Sequence, residues 1–214
     1  EYQRGYIFRN LANEKVYVDP QLGRLVQNYR TGFVRLSISH YLNKDFQKAE
    51  AALLKMEEIM PSSIIPIPSK QLQYQIAQVY SGVGNQAKMK YHMKELVERK
   101  DLLLEDYILY GKTFIQLLED YDESKLIFET IYQNYKIIEQ SILRRGFTAT
   151  KISEKEWQDW QHSLPEIIYL LFLSYKTLEL YDEAKILLND WINKNPADDN
   201  AKELLEEILQ LESS

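Results

Sequence analysis

Apolar residues return at helical spacing through most of this chain, and one short phrase punctuates them. The phrase is an aromatic residue, two polar residues and a small residue. It occurs in Asn43-Lys44-Asp45-Phe46-Gln47-Lys48-Ala49, in Glu119-Asp120-Tyr121-Asp122-Glu123-Ser124 and in Leu180-Tyr181-Asp182-Glu183-Ala184. Gly84-Asn85-Gln86-Ala87-Lys88-Met89 is a weaker copy. Each copy is followed by apolar residues three or four apart, the period of a helix with one buried face. The pattern predicts a turn between two helices, with the aromatic wedged between them and the small residue permitting close approach. Asp45, Asp120 and Asp182 fall where a carboxylate favours a helix start.

Internal repetition on this scale predicts an all-α array of antiparallel helix pairs. The clearest copy runs over 165–196, with Ile168, Leu171, Phe172 and Tyr175 on one helix face, Ala184, Leu188 and Trp191 on the next, and Pro196 closing it. Residues 30–61 match through Phe33, Leu36, Ala49, Leu53, Met56 and Pro61. A third copy starts near Lys70 and keeps Ile76, Ala77, Tyr80, Met93 and Leu96. A fourth starts near Glu105 and keeps Tyr110, Gly111, Phe128 and Ile131, with its first helix shifted by one residue. These copies resemble the tetratricopeptide repeat, which implies a right-handed solenoid of four helix pairs over 30–196.

The corresponding positions, Ala49, Ser124 and Ala184 with Met89 in the weaker copy, are unevenly spaced. The first gap holds a loop over 61–69 with Pro66 and Pro68. The last holds an insertion at about 132–163: an extended helix from Ile131 to about Arg145, a loop over 146–151, and a short helix from Ser153, where Ser153 and Glu156 have capping-box spacing. Trp157 and Trp160 share one side of that short helix, either clamping the insertion or offering a platform to a sugar or partner. Residues 197–214 read as a capping helix, with Leu204, Leu205, Ile208 and Leu211 covering the last pair and Glu203, Glu206 and Glu207 facing water.

Residues 1–29 do not fit the repeat and read as an N-terminal cap or linker. Tyr2, Tyr6, Ile7 and Phe8 make an aromatic start, and a helix through Leu22, Leu25 and Val26 leads into the first pair. Asn13, Val16-Tyr17, Asp19, Arg24, Asn28-Tyr29-Arg30, Phe33 and Leu36 resemble the soluble C-terminal region of a bacterial multi-spanning membrane protein family. That family was formerly a domain of unknown function and is grouped with protein O-mannosyltransferase-type glycosyltransferases. The resemblance covers about residues 1–100. It implies a catalytic membrane domain upstream of Glu1, in a parent of the bacterial inner membrane, with this part outside the bilayer on either side, the periplasmic one favoured.

Composition narrows the chemistry. The chain has 214 residues, 45% hydrophobic and 27% charged, which is ordinary for a folded domain. Sixteen tyrosines against seven glycines and six prolines favour long packed helices. The net charge of −6, with Arg144, Arg145 and Lys151 the best basic cluster, argues against nucleic acid. The absence of cysteine excludes thiolate metal sites and cysteine nucleophiles. No apolar run reaches the ~20 residues of a membrane span, so this part inserts into no membrane directly. A start at Glu1 without methionine predicts a fragment or processed form.

No catalytic, metal or cofactor site is expected. His40, His92 and His162 lack ligand spacing and read as helix-surface or groove residues, and His40 has Ser37 and Lys44 rather than carboxylates at neighbouring helical positions. Gly82-x-Gly84 lies between helices rather than after a strand, so it reads as a turn. Adjacent carboxylates such as Glu57-Glu58, Asp198-Asp199 and Glu206-Glu207 point about 100° apart on a helix and read as solvated.

Function is therefore expected at the concave face lined by first helices. The repeat register places Val34, Ile38, Tyr41, Tyr74, Gln78, Thr113, Gln116, Tyr169, Leu173 and Lys176 there. Aromatic anchors with amides and one cation suit a peptide or protein helix, and an apolar groove also admits self-association. Two readings follow: a non-catalytic protein-binding module, free-standing in the periplasm or attached to a membrane protein, or an accessory domain presenting acceptor protein to a membrane O-glycosyltransferase.

Overall fold

The computed structural model describes residues 10–15, 17, 19–150 and 152–212. Expectations placed on Tyr2, Tyr6, Ile7, Phe8, Val16 and Lys151 lie outside the described residues. The fold is all-α, with no strand among the described residues. It divides into two compact units, Glu1–Arg99 and Lys100–Ser214. Unit 1 holds α1 (Pro20–Leu42), α2 (Phe46–Ile59), α3 (Lys70–Gly82) and α4 (Gln86–Val97). Unit 2 holds α5 (Leu104–Leu118), α6 (Tyr121–Arg145), a 3-10 turn at Phe147–Ala149, α7 (Glu154–Thr177), α8 (Tyr181–Lys194) and α9 (Asp199–Glu212). Sequential helices pack as pairs, α1 on α2, α3 on α4, α5 on α6 and α7 on α8, an arrangement compatible with a helical repeat.

The four turns inside those pairs share one backbone design. Lys44, Gly84, Glu119 and Glu179 each adopt positive φ, at 61°, 85°, 50° and 59°. The next amide then reaches back to the first helix: Asp45 to His40 O, Asn85 to Tyr80 O and Leu180 to Tyr175 O, each at 2.9 Å. In the third turn Asp120 N reaches Phe114 O, one residue further back, which is the shift read from the sequence. Three of the four left-handed positions are not glycine, at a cost of roughly 1 kcal/mol each that the surrounding pair must offset.

The fourth position of the phrase is buried in every pair, as a small residue in three and as a methionine in the second. Ala49, Met89, Ser124 and Ala184 are fully buried. Ser37 Oγ donates to Ala49 O at 2.6 Å, so the α1 and α2 backbones meet. The cores continue from there: Leu53, Met56, Ile76 and Met93 in unit 1, and Phe114, Phe128, Leu171 and Leu188 in unit 2.

Helix boundaries differ from the repeat-based expectation in three places. The helix through Leu22 and the first repeat helix are one, because nothing between Pro20 and Leu42 stops it and Asp19 Oδ1 caps its start at 2.8 Å from Gln21 N. The second helix of the third pair runs unbroken to Arg145. The short helix from Ser153 and the helix at Pro165 are likewise one, α7, with Pro165 inside it. Pro165 is exposed, so the carbonyl four residues earlier that loses its N–H partner faces solvent. The capping box at its start forms, with Ser153 N to Glu156 Oε2 at 2.6 Å and Glu156 N to Ser153 Oγ at 3.2 Å. The insertion is thus a lengthening of α6 and α7, closed by Gly146 at φ 74°. Trp157 is buried there and stacks on Tyr135, ring centroids 4.9 Å apart, which makes it a packing residue.

In the closing helix α9, Ile208 is buried but Leu211 is 42% exposed. Glu207 is half-buried and holds Lys176 Nζ at 2.5 Å instead of facing water.

Candidate functional site

The ten expected groove residues separate by unit and by exposure. In unit 1, Val34 is 1% exposed and belongs to the core. Ile38, Tyr41 and Tyr74 are half-buried, and Gln78 is exposed. Tyr41 lies across Gly82 of α3, where any Cβ would meet its ring at 2.5 Å. In unit 2, Thr113 is buried and its hydroxyl donates to Leu109 O at 2.8 Å. Gln116 is exposed, Tyr169 is 46% exposed and Leu173 is half-buried. Lys112 of α5 pairs with Glu166 of α7, one turn before Tyr169, so the two first helices of this unit are tied side by side. Lys176 is occupied by Glu207. Val34 and Thr113 point inward because the buried stripe of a packed first helix is wider than the repeat register implies.

Unit 1 also contains a buried polar cluster that the sequence did not disclose. Glu57 Oε1 on α2 accepts from Tyr80 OH at 2.7 Å and lies 2.8 Å from His92 Nε2. Its Oε2 accepts from Lys88 Nζ at 2.5 Å. His92 is 1% exposed, stacked on Tyr80 and edge-on to Tyr91, and its Nδ1 has no partner among the described residues. Burial raises the Glu57 carboxyl, but hydrogen bonds from His92, Lys88 and Tyr80 outweigh it and bring it down to about 2. Burial, followed by the Glu57 bond, pushes the Tyr80 phenol up. Glu57 is therefore an ionised clamp rather than a solvated residue, and His92 is an interior residue rather than a surface one. The available signal was that His92 falls on the buried stripe Met89, Met93 and Leu96 of α4. Beside the cluster lies an open cavity of about 340 Å³ between Leu54, Pro61, Ser62, Lys88 and Tyr91.

Within Asn28-Tyr29-Arg30, the arginine has a structural role in this fold. Arg30 is fully buried and donates to Met60 O at 2.9 Å, Ile65 O at 2.7 Å, Pro66 O at 3.2 Å and Gln27 Oε1 at 2.7 Å. Burial lowers its pKa to about 10, with Glu95 opposing. Arg99 holds the same loop through Ile67 O at 2.9 Å and Pro68 O at 2.8 Å. Two guanidinium groups thus bind the carbonyls of a proline-interrupted loop that makes few bonds of its own.

The remaining candidates fall elsewhere. His40 Nδ1 does have a carboxylate neighbour, Asp45 Oδ2 at 3.8 Å, because the turn folds Asp45 back over it. His162, Arg144 and Arg145 are exposed. No group of three metal-ligating side chains forms among the described residues, and no helix among them is long and apolar enough to cross a membrane. No protein-family model, curated protein or solved structure matches the chain.

Proposed function

We propose that the chain is a non-catalytic interaction module built from tetratricopeptide-type helix pairs, binding an extended peptide or partner helix along its first-helix faces. The recurrence of one turn design in all four pairs supports the repeat assignment. The observation that carries the binding reading is Tyr169, 46% exposed on α7 beside half-buried Leu173. An aromatic side chain left at the surface of a rigid helix pair is a low-entropy anchor for a partner.

Selection of a displayed random peptide library against the full chain tests this. Enriched peptides carry aromatic or aliphatic anchors, and Tyr74→Ala with Tyr169→Ala weakens their binding at least tenfold while circular dichroism and melting stay unchanged. Peptides that bind the double variant as tightly as the parent chain rule the reading out.

A further inference from the structure

Trp160 lies on α7 ahead of Pro165, in the stretch that lengthens this helix. There it helps to close a cavity of about 100 Å³ within unit 2. Leu102 and Leu104, at the entry to α5, and Ile131 of α6 supply apolar walls. Tyr107 of α5 and Trp160 supply two half-buried aromatic rings. Thr130 and Asn134, one turn apart on α6, are exposed and border the opening. The cavity is thus apolar and aromatic inside and polar at its mouth.

The polar hydrogens around it are unspent. Elsewhere in unit 2, Tyr132 OH donates to Asp190 Oδ2 at 2.8 Å, Tyr135 OH to Glu139 Oε1 at 3.1 Å and Tyr175 OH to Glu129 Oε1 at 2.9 Å, and Trp191 Nε1 donates to Asp198 Oδ2 at 2.7 Å. By contrast, Tyr107 OH, Trp160 Nε1 and the Asn134 side-chain amide have no hydrogen-bond partner among the described residues. Thr130 Oγ1 already donates to Leu126 O at 2.7 Å. The charge nearby has one sign. Asp101, Glu105, Asp106, Glu129 and Asp159 each adjoin a lining residue in sequence, and no Lys or Arg does.

We infer that this cavity binds a free, uncharged single-ring aromatic carrying one hydroxyl group, a phenol. The inference is independent of the peptide reading above and adds a small-molecule site to unit 2. Sites for drug-sized ligands enclose roughly 300–1,000 Å³, so nothing larger than one ring enters here. A closed apolar cavity of roughly 150 Å³ holds benzene. This one is smaller but open, so the substituent projects through the mouth. Tyr107 and Trp160 favour a ring over an aliphatic body of the same size, because aromatic pairs gain energy beyond the area they bury. At the mouth, the ligand oxygen accepts from the unspent donors and its proton reaches the Asn134 carbonyl oxygen. The surrounding carboxylates repel an aromatic carboxylate.

Titration of the isotope-labelled full chain with phenol, cyclohexanol and benzoate, followed by NMR at the indole N–H resonances, tests this; Trp160→Phe assigns the Trp160 signal. Phenol moves that signal saturably and binds at least tenfold more tightly than cyclohexanol or benzoate. Thr130→Phe plugs the mouth and abolishes the shift. Asn134→Leu weakens phenol at least threefold and leaves benzene unchanged. Both positions are exposed, so circular dichroism and melting stay at the parent values. A Trp160 signal that does not saturate overturns the inference, as does equal affinity for phenol and cyclohexanol. A shift that persists in Thr130→Phe places the ligand elsewhere and also overturns it. So does a blocked Gly-Tyr-Gly peptide that displaces phenol at lower concentration than phenol itself binds, since the cavity then seats a partner's side chain rather than a free ligand.

Discussion

Glu57 on α2 and His92 on α4 meet at 2.8 Å, and the same carboxylate also takes Tyr80 from α3 and Lys88 from α4. One side chain therefore ties three of the four helices of unit 1. Its carboxyl is held at about 2 against an ordinary 4.5. A group whose folded pKa is depressed contributes stability above its unfolded pKa and loses it as pH falls through the folded one. The contribution is thus full above pH 4.5 and fades toward pH 2. Allowing for the exposed edge of the carboxylate, it is worth about 2 kcal/mol. Urea unfolding of the parent chain and Glu57→Gln across this range checks it: the gap in stability closes as pH falls, and a gap that stays constant contradicts the linkage.

Arg30 supports a second prediction. Arg30→Met keeps most of the volume but leaves the buried Met60 and Ile65 carbonyls without their donor, while Pro66 O keeps Gln27 Nε2 at 3.2 Å. Unmet buried acceptors make this a loss of about 3 kcal/mol. The loop opens before the helices do, so hydrogen exchange accelerates first at the Ile64 and Ile65 amides, which bond Pro61 O at 3.1 and 2.9 Å. Arg30→Lys recovers only part, since one ammonium cannot reach four acceptors in a fork.

The helix pairs were legible in the sequence because their turns repeat a chemistry: Phe46, Tyr121 and Tyr181 open second helices, and Ala49, Ser124 and Ala184 are buried one turn on. Even the one-residue shift of the third pair showed in its spacing. Helix ends were less legible wherever the repeat period was used in place of stop signals. Leu22 and Phe33 lie in one helix because no glycine or proline between Pro20 and Leu42 breaks it; Gly23 and Gly32 are simply tolerated. Pro165 looked like a start and is an interior residue of α7. Of the expected groove residues, Tyr169, Gln78 and Gln116 are exposed, whereas Val34 and Thr113 are core. The Glu57 cluster escaped notice because its members, Glu57, Tyr80 and His92, come from three helices whose juxtaposition no local pattern encodes.

Two glycines separate close packing from mere helix tolerance. A Cβ at Gly111 would meet the Phe128 ring at 2.5 Å, while one at Gly32 meets nothing within 4 Å. Phe128 is fully buried and has no room to retreat. Gly111→Ala therefore destabilises by about 1–3 kcal/mol through overpacking, and Gly32→Ala stabilises by about 0.5–1 kcal/mol through helix propensity. Thermal melts of the two variants are expected to move in opposite directions.

The lengthened arms of α6 and α7 make the last prediction. Tyr135 of α6 stacks on Trp157 at 4.9 Å and 15°, and Trp160 lies further off at 6.5 Å and 29°. Trp157 is 8% exposed, whereas Trp160 is half-buried at the rim of a cavity of about 100 Å³ with Leu102, Leu104 and Tyr107. Trp157→Ala removes a buried ring and its stack, a loss of about 3–4 kcal/mol. Trp160→Ala costs about 1 kcal/mol, because solvent already covers part of it. The near-ultraviolet dichroism of the aromatic stack disappears in the first variant and persists in the second. Equal losses in both variants mean that the two tryptophans hold the arms together as one unit, and unequal losses in the opposite order place the main contact at the cavity rather than at Tyr135.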